Sequence, residues 1–215
     1  MNRHEIVERL TEIGGVAVVR LGDAGKVAKV AEALAAGGLP ALEITMTTPN
    51  AIEVIRELTR NGAPEWMIGV GSVLDRETAE RAVAAGAKYV VSPVFKPEVV
   101  EAAHELNVPA MPGAFTPTEI QAAHEAGADI VKVFPAECVG TAFFKAVLAP
   151  MPHLRLMPTG GVTPENAGEW LRAGAVAVGI GSALLDKKAI DSGDWARLTE
   201  NARTMRAGID AARQK

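Results

Sequence analysis

Gly127-Ala128-Asp129-Ile130-Val131-Lys132-Val133-Phe134-Pro135 reads as a helix stop followed by a short buried strand, with one lysine inside its apolar run. Glycine suits the left-handed residue that ends a helix, and Ile130–Phe134 has the length and β-branched content of a strand. The same phrase recurs along the chain: a helix-length segment, a glycine-type stop, then roughly four to six residues rich in Val, Ile and Ala. The stops are Gly14, Gly37, Gly62, Gly86, Asn107, Gly127, the Pro150 region and Gly174. They recur every 20 to 25 residues or so, the spacing of one strand plus one helix.

Eight stops predict eight strands, near Val16–Arg20, Ala41–Met46, Met67–Gly71, Tyr89–Ser92, Ala110–Pro112, Ile130–Phe134, Arg155–Pro158 and Val176–Ile180. A leading helix is expected over Arg3–Ile13 and a closing one over Trp195–Arg213. Thr48-Pro49, Lys96-Pro97, Thr116-Pro117 and Thr163-Pro164 place proline at the first position of a helix. Asp75 and Asp194 read as further caps. Strands alternating with helices make a parallel sheet with right-handed crossovers. Eight units predict a single (β/α)8 TIM barrel over residues 1–215, with an extra N-terminal helix. An open doubly wound sheet would want a glycine fingerprint after its first strand. Arg20-Leu21-Gly22-Asp23-Ala24-Gly25 matches that fingerprint poorly.

Composition narrows the function classes. Hydrophobic residues are 48% and charged residues 22%, as in globular proteins with a substantial core. A net charge of -4 and 4% aromatic content give no basic patch and few stacking platforms for nucleic acid. The N-terminus lacks the apolar core of a signal peptide, and the run from Gly174 to Leu185 is too short to span a bilayer. The single cysteine, Cys138, excludes an internal disulfide, so a cytoplasmic protein is expected.

In such a barrel the chemistry sits at the C-terminal ends of the strands. The polar residues there are Arg20, Glu43, Thr45, Thr47, Ser72, Ser92, Lys132, Thr159 and Ser182. Strand side chains alternate between faces. With Val131 and Val133 under the helices, Lys132 points into the barrel, and the same parity sends Glu43 and Thr45 inward. A desolvated amine loses its proton more readily and can attack a carbonyl to form a Schiff base. The alternative is a buried structural salt bridge, although such a pair is costly and weak support for stability.

Pro158-Thr159-Gly160-Gly161-Val162 and Val178-Gly179-Ile180-Gly181-Ser182 leave strands seven and eight, where barrels often bind phosphate through backbone N–H groups. His104 and His124 fall in helices, His4 and His153 outside any strand end, so a bound metal is not expected. Cys138 reads as a bystander thiol, and Trp66, Trp170 and Trp195 as packing.

Leu42-Glu43-Ile44-Thr45, Gly69-Val70-Gly71-Ser72-Val73-Leu74, Val91-Ser92-Pro93, Met111-Pro112-Gly113, Val131-Lys132-Val133-Phe134-Pro135-Ala136-Glu137, Pro158-Thr159-Gly160-Gly161-Val162 and Gly179-Ile180-Gly181-Ser182 occur in this order. Together they resemble the class I 2-keto-3-deoxy-6-phosphogluconate (KDPG) and 4-hydroxy-2-oxoglutarate (KHG) aldolases. The resemblance implies metal-independent, cofactor-free cleavage of a phosphorylated keto acid to pyruvate and glyceraldehyde 3-phosphate, an Entner–Doudoroff step, by a homotrimer. It makes Lys132 the Schiff-base residue and Glu43 the acid/base group. It assigns Ser72, where the family usually has threonine, to the pyruvyl carboxylate, and Pro93 and Phe134 to the pocket wall. Thr159, Gly160 and Gly161, with Gly181 and Ser182, would meet the distal phosphate.

Many members carry an arginine for the keto-acid carboxylate where this chain has Thr47. Arg20, at the end of strand one, is the expected substitute, against the alternative of a solvated strand end. The phosphogalactonate epimer is an alternative substrate. A barrel phosphosugar isomerase or epimerase with Glu43 as base, and a phosphometabolite-binding protein without an active amine, are alternatives of other classes.

Overall fold

Two helices frame the chain, and each has a local reason for its ends. In the computed structural model, which describes residues 1–214, α1 (Arg3–Ile13) opens on a capping box. Asn2 Oδ1 accepts from the Glu5 N–H, and a Glu5 carboxylate oxygen accepts from the Asn2 N–H. It ends at Gly14, whose φ of 74° lets its N–H reach Leu10 O at 2.9 Å. The closing helix, α10 (Trp195–Arg213), is capped by Asp194 and packs against α2 (Val27–Ala36) and α8 (Ala167–Arg172).

The remaining helices are α3 (Ala51–Asn61), α4 (Arg76–Ala84), α5 (Pro97–Glu105), α6 (Pro117–Glu125), α7 (Gly140–Leu148) and α9 (Lys187–Ser192). Strands alternate with them: β1 (Gly15–Val19), β2 (Ala41–Thr45), β3 (Met67–Gly71), β4 (Val90–Val91), β5 (Ala110–Met111), β6 (Gly113–Ala114), β7 (Val131–Val133), β8 (Leu156–Pro158) and β9 (Val178–Ile180). All ladders are parallel. One sheet runs β5-β4-β3-β2-β1-β9, the other β6-β7-β8. A parallel bridge between Thr159 and Gly179 links the exit of β8 to β9. The result is an α/β fold with a curled parallel sheet. Buried strand residues such as Val131, Val133, Ile44 and Val70 carry the core beneath the helices.

Several expectations need correction. The fifth strand, expected over Ala110–Pro112, is two segments with different partners: β5 pairs with β4, and β6 with β7. Pro112 has no N–H for the ladder, so the chain changes partner there while its carbonyl still accepts from Lys132 N at 2.9 Å. Thr48-Pro49 does not start α3, whose N-cap is Asn50 with φ 55°. The Thr48 hydroxyl instead donates to Val19 O and accepts from Leu21 N, tying down the exit of β1. Thr163-Pro164 opens a single turn, with Asn166 N bonded to Thr163 Oγ1, and α8 proper begins at Ala167. Among the stops, Gly62 is extended (φ -79°, ψ 172°) rather than left-handed, and Gly38 rather than Gly37 carries the positive φ.

Candidate active site

Lys132 sits in the middle of β7 with neighbours Val131 and Val133 buried on the opposite face. Glu43 occupies the middle of β2. These strands are not ladder neighbours, yet Lys132 Nζ lies 3.9 Å from Glu43 Oε1. Both side chains therefore reach into the space the curled sheet encloses. Their exposures are 6% for Lys132 and 1% for Glu43. Neither carboxylate oxygen of Glu43 has a hydrogen-bond partner. A buried carboxylate whose one close cation stands beyond hydrogen-bond range is a poor structural tether, because its desolvation is only partly compensated.

The sequence reading missed two neighbours that hold this carboxylate. A Cβ at Gly71 would lie 1.9 Å from Glu43 Oε1, so β3 needs glycine there for the carboxylate to lie across it. Two residues earlier, a Cβ at Gly69 would lie 2.2 Å from the Tyr89 ring. Gly69 pairs in register with Glu43. Tyr89 thus fills the enclosed space beside Glu43, fully buried, and its hydroxyl points at Met67 O. Burial first, and the Glu43 charge second, push its phenol well above the ordinary value, so it stays protonated. Glycine inside a strand is the signal of such a close approach, and Gly69-Val70-Gly71 carried it.

Burial pushes the Lys88 amine below its ordinary range. It precedes β4, at the other end of the strands, and donates to Trp66 O at 2.6 Å. Its position removes it from the site.

A cavity of about 810 Å³ opens over the exits of β1, β7, β8 and β9. Of the predicted substrate-binding residues it gathers Arg20, Phe134, Thr159, Gly160, Gly161, Gly181 and Ser182. Phe134 spans the two regions, since its ring centroid lies 5.4 Å from Lys132 Nζ. Thr159 Oγ1 is buried without a hydrogen-bond partner and fits against the missing side chain of Gly179. Arg20 is exposed at the cavity wall and forms no side-chain hydrogen bond or ion pair among the described residues.

Thr45, Thr47, Ser72 and Pro93 lie outside that wall. Thr45 Oγ1 is spoken for by Val19 O (3.1 Å) and Thr47 Oγ1 (2.8 Å). Ser72 stands at the end of β3 with φ 60°, a left-handed backbone that a β-branched side chain tolerates worse than serine does. Pro93 follows β4, and its carbonyl would be 2.1 Å from a Cβ on Gly113, so the loop after β4 packs against β6 through that glycine.

Elsewhere, His104 is paired with Asp129 at 3.1 Å, and the His124 and His153 rings lie 4.9 Å apart. Among the described residues no group of three or more His, Cys, Asp or Glu is arranged to hold a metal ion. Cys138 is exposed in a 3₁₀ turn, and Trp170 packs edge-on against Phe144. No helix of the described residues is long and apolar enough to cross a membrane.

Comparison with known proteins gives a consistent picture. Residues 6–201 match the family model described as KDPG and KHG aldolase. The chain is 37% identical over 207 residues to the 2-dehydro-3-deoxy-phosphogluconate aldolase of Haemophilus influenzae, covering 96% of each protein. It is 34% identical over 175 residues to the KHG/KDPG aldolase of Escherichia coli, covering 81% of this chain and 82% of the relative. Its fold superimposes with a TM-score of 0.86, at 29% identity, on KDPG aldolase from Legionella pneumophila, a crystal structure with pyruvate captured as a covalent carbinolamine. That match covers 93% of this chain and 97% of the other.

Proposed function

The chain belongs to the KDPG and KHG aldolase family, and from that premise we propose that it is a class I aldolase working through Lys132 and Glu43. Its main substrate is 2-keto-3-deoxy-6-phosphogluconate, cleaved to pyruvate and glyceraldehyde 3-phosphate, with 4-hydroxy-2-oxoglutarate as a second substrate giving glyoxylate. One observation carries the reading: the buried Lys132–Glu43 pair 3.9 Å apart, beside a cavity walled by the glycine turns of β8 and β9.

The chemistry follows from that pair. The Lys132 amine adds to the C2 ketone to give a carbinolamine, which loses water to form a protonated imine. Glu43 accepts the C4 hydroxyl proton, directly or through water, as the C3–C4 bond breaks and its electrons flow into the iminium. The aldehyde leaves, Glu43 returns a proton to C3 of the enamine, and water releases pyruvate from the lysine. Glu43 suits both proton transfers because no hydrogen bond competes for its oxygens.

Around this centre, Phe134 and Pro93 wall the pyruvyl half, and Ser72 with Thr45 and Thr47 line the approach to its carboxylate. Arg20 supplies the cation that pairs with that carboxylate, since Thr47 cannot. Thr159, Gly160, Gly161, Gly181 and Ser182 receive the distal phosphate. A Cβ at Gly181 would meet only Val18 O, at 3.9 Å, so the approach to that backbone is open.

The fold that presents these groups is read as one (β/α)8 barrel domain preceded by α1. β5 and β6 count as a single strand interrupted at Pro112, and the Thr159–Gly179 bridge continues the ladder between the sheets. A cytoplasmic homotrimer completes the reading. Leu74, Val94 and Phe115, exposed after β3, β4 and β6, support an apolar interface at that end of the sheet.

Borohydride reduction in the presence of pyruvate tests the mechanism. Mass spectrometry should find one covalent adduct, on Lys132. A folded, substrate-binding protein with no modified lysine would sink the proposal. Arg20→Ala should raise KM for pyruvate in the condensation direction roughly ten- to a hundredfold, the worth of a charge-assisted bidentate pair. An unchanged KM would make Arg20 a solvated strand end.

A further inference from the structure

The cavity carries a charge that the proposed function leaves unexplained. Gly160 and Gly161 both adopt left-handed backbone, with φ 95° and 70°. What fills the space beside them is Glu137. A Cβ on Gly160 would lie 2.0 Å from Glu137 Oε2, and one on Gly161 would lie 2.6 Å from Glu137 Cβ. The turn thus packs against a carboxylate, which lies on the wall of the same 810 Å³ cavity.

Most other charges on that wall are already engaged. Asp23 accepts from the Gly25 N–H at 2.9 Å. Lys26 Nζ donates to Ile190 O at 3.1 Å and to Asp191 O at 3.4 Å. Lys187 pairs with Asp191. Among the described residues this leaves Arg20 as the cation and Glu137 as the anion on that wall whose side chain has no hydrogen-bond or ion-pair partner. An anion placed against the backbone that would receive a phosphate acts on specificity more than on chemistry, because discrimination is often built from a repulsive element.

We propose that Glu137 is a specificity-determining residue: its carboxylate lies over the Gly160–Gly161 turn and opposes a dianionic phosphate there, while leaving a neutral distal group unopposed. This rests on the aldolase reading and deepens it. Substrates of both kinds then share one Schiff-base centre, and Glu137 restrains the advantage of the phosphorylated one. The side chain is exposed, so it can swing aside when phosphate binds, and the effect weakens as salt screens the two charges.

The test uses the condensation direction, with pyruvate as donor and either D-glyceraldehyde 3-phosphate or D-glyceraldehyde as acceptor. Glu137→Gln keeps the volume packed against the turn and removes the charge. It should raise the ratio of kcat/KM for the phosphorylated over the neutral acceptor by about tenfold at low salt, through KM of the phosphorylated acceptor, with less effect at high salt. Glu137→Asp keeps the charge and should stay near the wild-type ratio.

An unchanged or lowered ratio in Glu137→Gln would overturn the proposal. So would an equal rise in both variants, which would assign the effect to packing. Borohydride trapping of pyruvate on Lys132, run on each protein, separates the two levels of inference. If even the wild type fails to be labelled, the aldolase reading has failed. If labelling is normal and the ratio does not move, only the role of Glu137 has.

Discussion

Lys132→Met should lose cleavage activity by about 10⁴-fold or more, the scale on which removing an essential nucleophile acts, and should no longer form a borohydride-stable adduct with pyruvate. No neighbour can take over the addition step. Lys88, whose amine burial pushes below its ordinary range, lies at the far end of the strands and donates to Trp66 O. The variant also has a stability cost. Glu43 is 1% exposed, and Lys132 is its close cation. Deleting the amine strands a buried carboxylate, typically worth about 3–5 kcal/mol. Adding Glu43→Gln to Lys132→Met removes the stranded charge and should recover much of that loss in a urea melt, while activity stays absent. Two outcomes would reject this account: retained turnover in Lys132→Met, or a double variant no more stable than the single.

The parts of this molecule legible in its sequence are those governed by local rules. α1 begins and ends, and α10 begins, where their caps dictate, because Asn2, Gly14 and Asp194 act on residues within a turn of themselves. The inward parity of Glu43 and Lys132 follows from strand alternation alone. The features that were illegible depend on distant parts of the chain. Thr48 looks like a helix cap until Val19 O and Leu21 N claim its hydroxyl from the end of β1 and the loop beyond it. Pro112 looks like the end of a strand, but it is where the chain changes from one sheet to the other.

The glycine turns are the subtler case. The sequence pattern predicts that Gly160 and Gly161 are small so that an anion can approach. Side chains there would also strike Glu137, so a carboxylate from the β7 exit shapes the same turn. Gly181, with open space where a side chain would go, leaves its backbone free for an anion to approach.

Gly71→Ala should act almost as a lesion of Glu43 itself. The backbone at Gly71 lies outside the left-handed region, so alanine brings no conformational penalty there. Its effect is contact: the new methyl would fall 1.9 Å from Glu43 Oε1 and 2.5 Å from Cγ and Cδ. The carboxylate has little freedom to yield, because Tyr89 fills the adjoining space over Gly69, the register partner of Glu43. It must therefore move along the enclosed space, away from the position 3.9 Å from Lys132 Nζ. Displacing a general acid/base by an ångström costs about 10²-fold, and deleting it costs roughly 10²–10⁴-fold. Gly71→Ala should then lower kcat near the first figure and Glu43→Gln within the second range. Both should still trap pyruvate on Lys132, because carbinolamine formation needs the amine first. The proton step isolates the defect. In D₂O the wild-type protein should exchange the C3 protons of bound pyruvate as the enamine forms and reverses, and NMR follows that exchange directly. In both variants exchange should slow in proportion to kcat while trapping persists. Exchange at the wild-type rate in Gly71→Ala would mean that Glu43 is not the group that moves the C3 proton, and the acid/base assignment would pass to another residue.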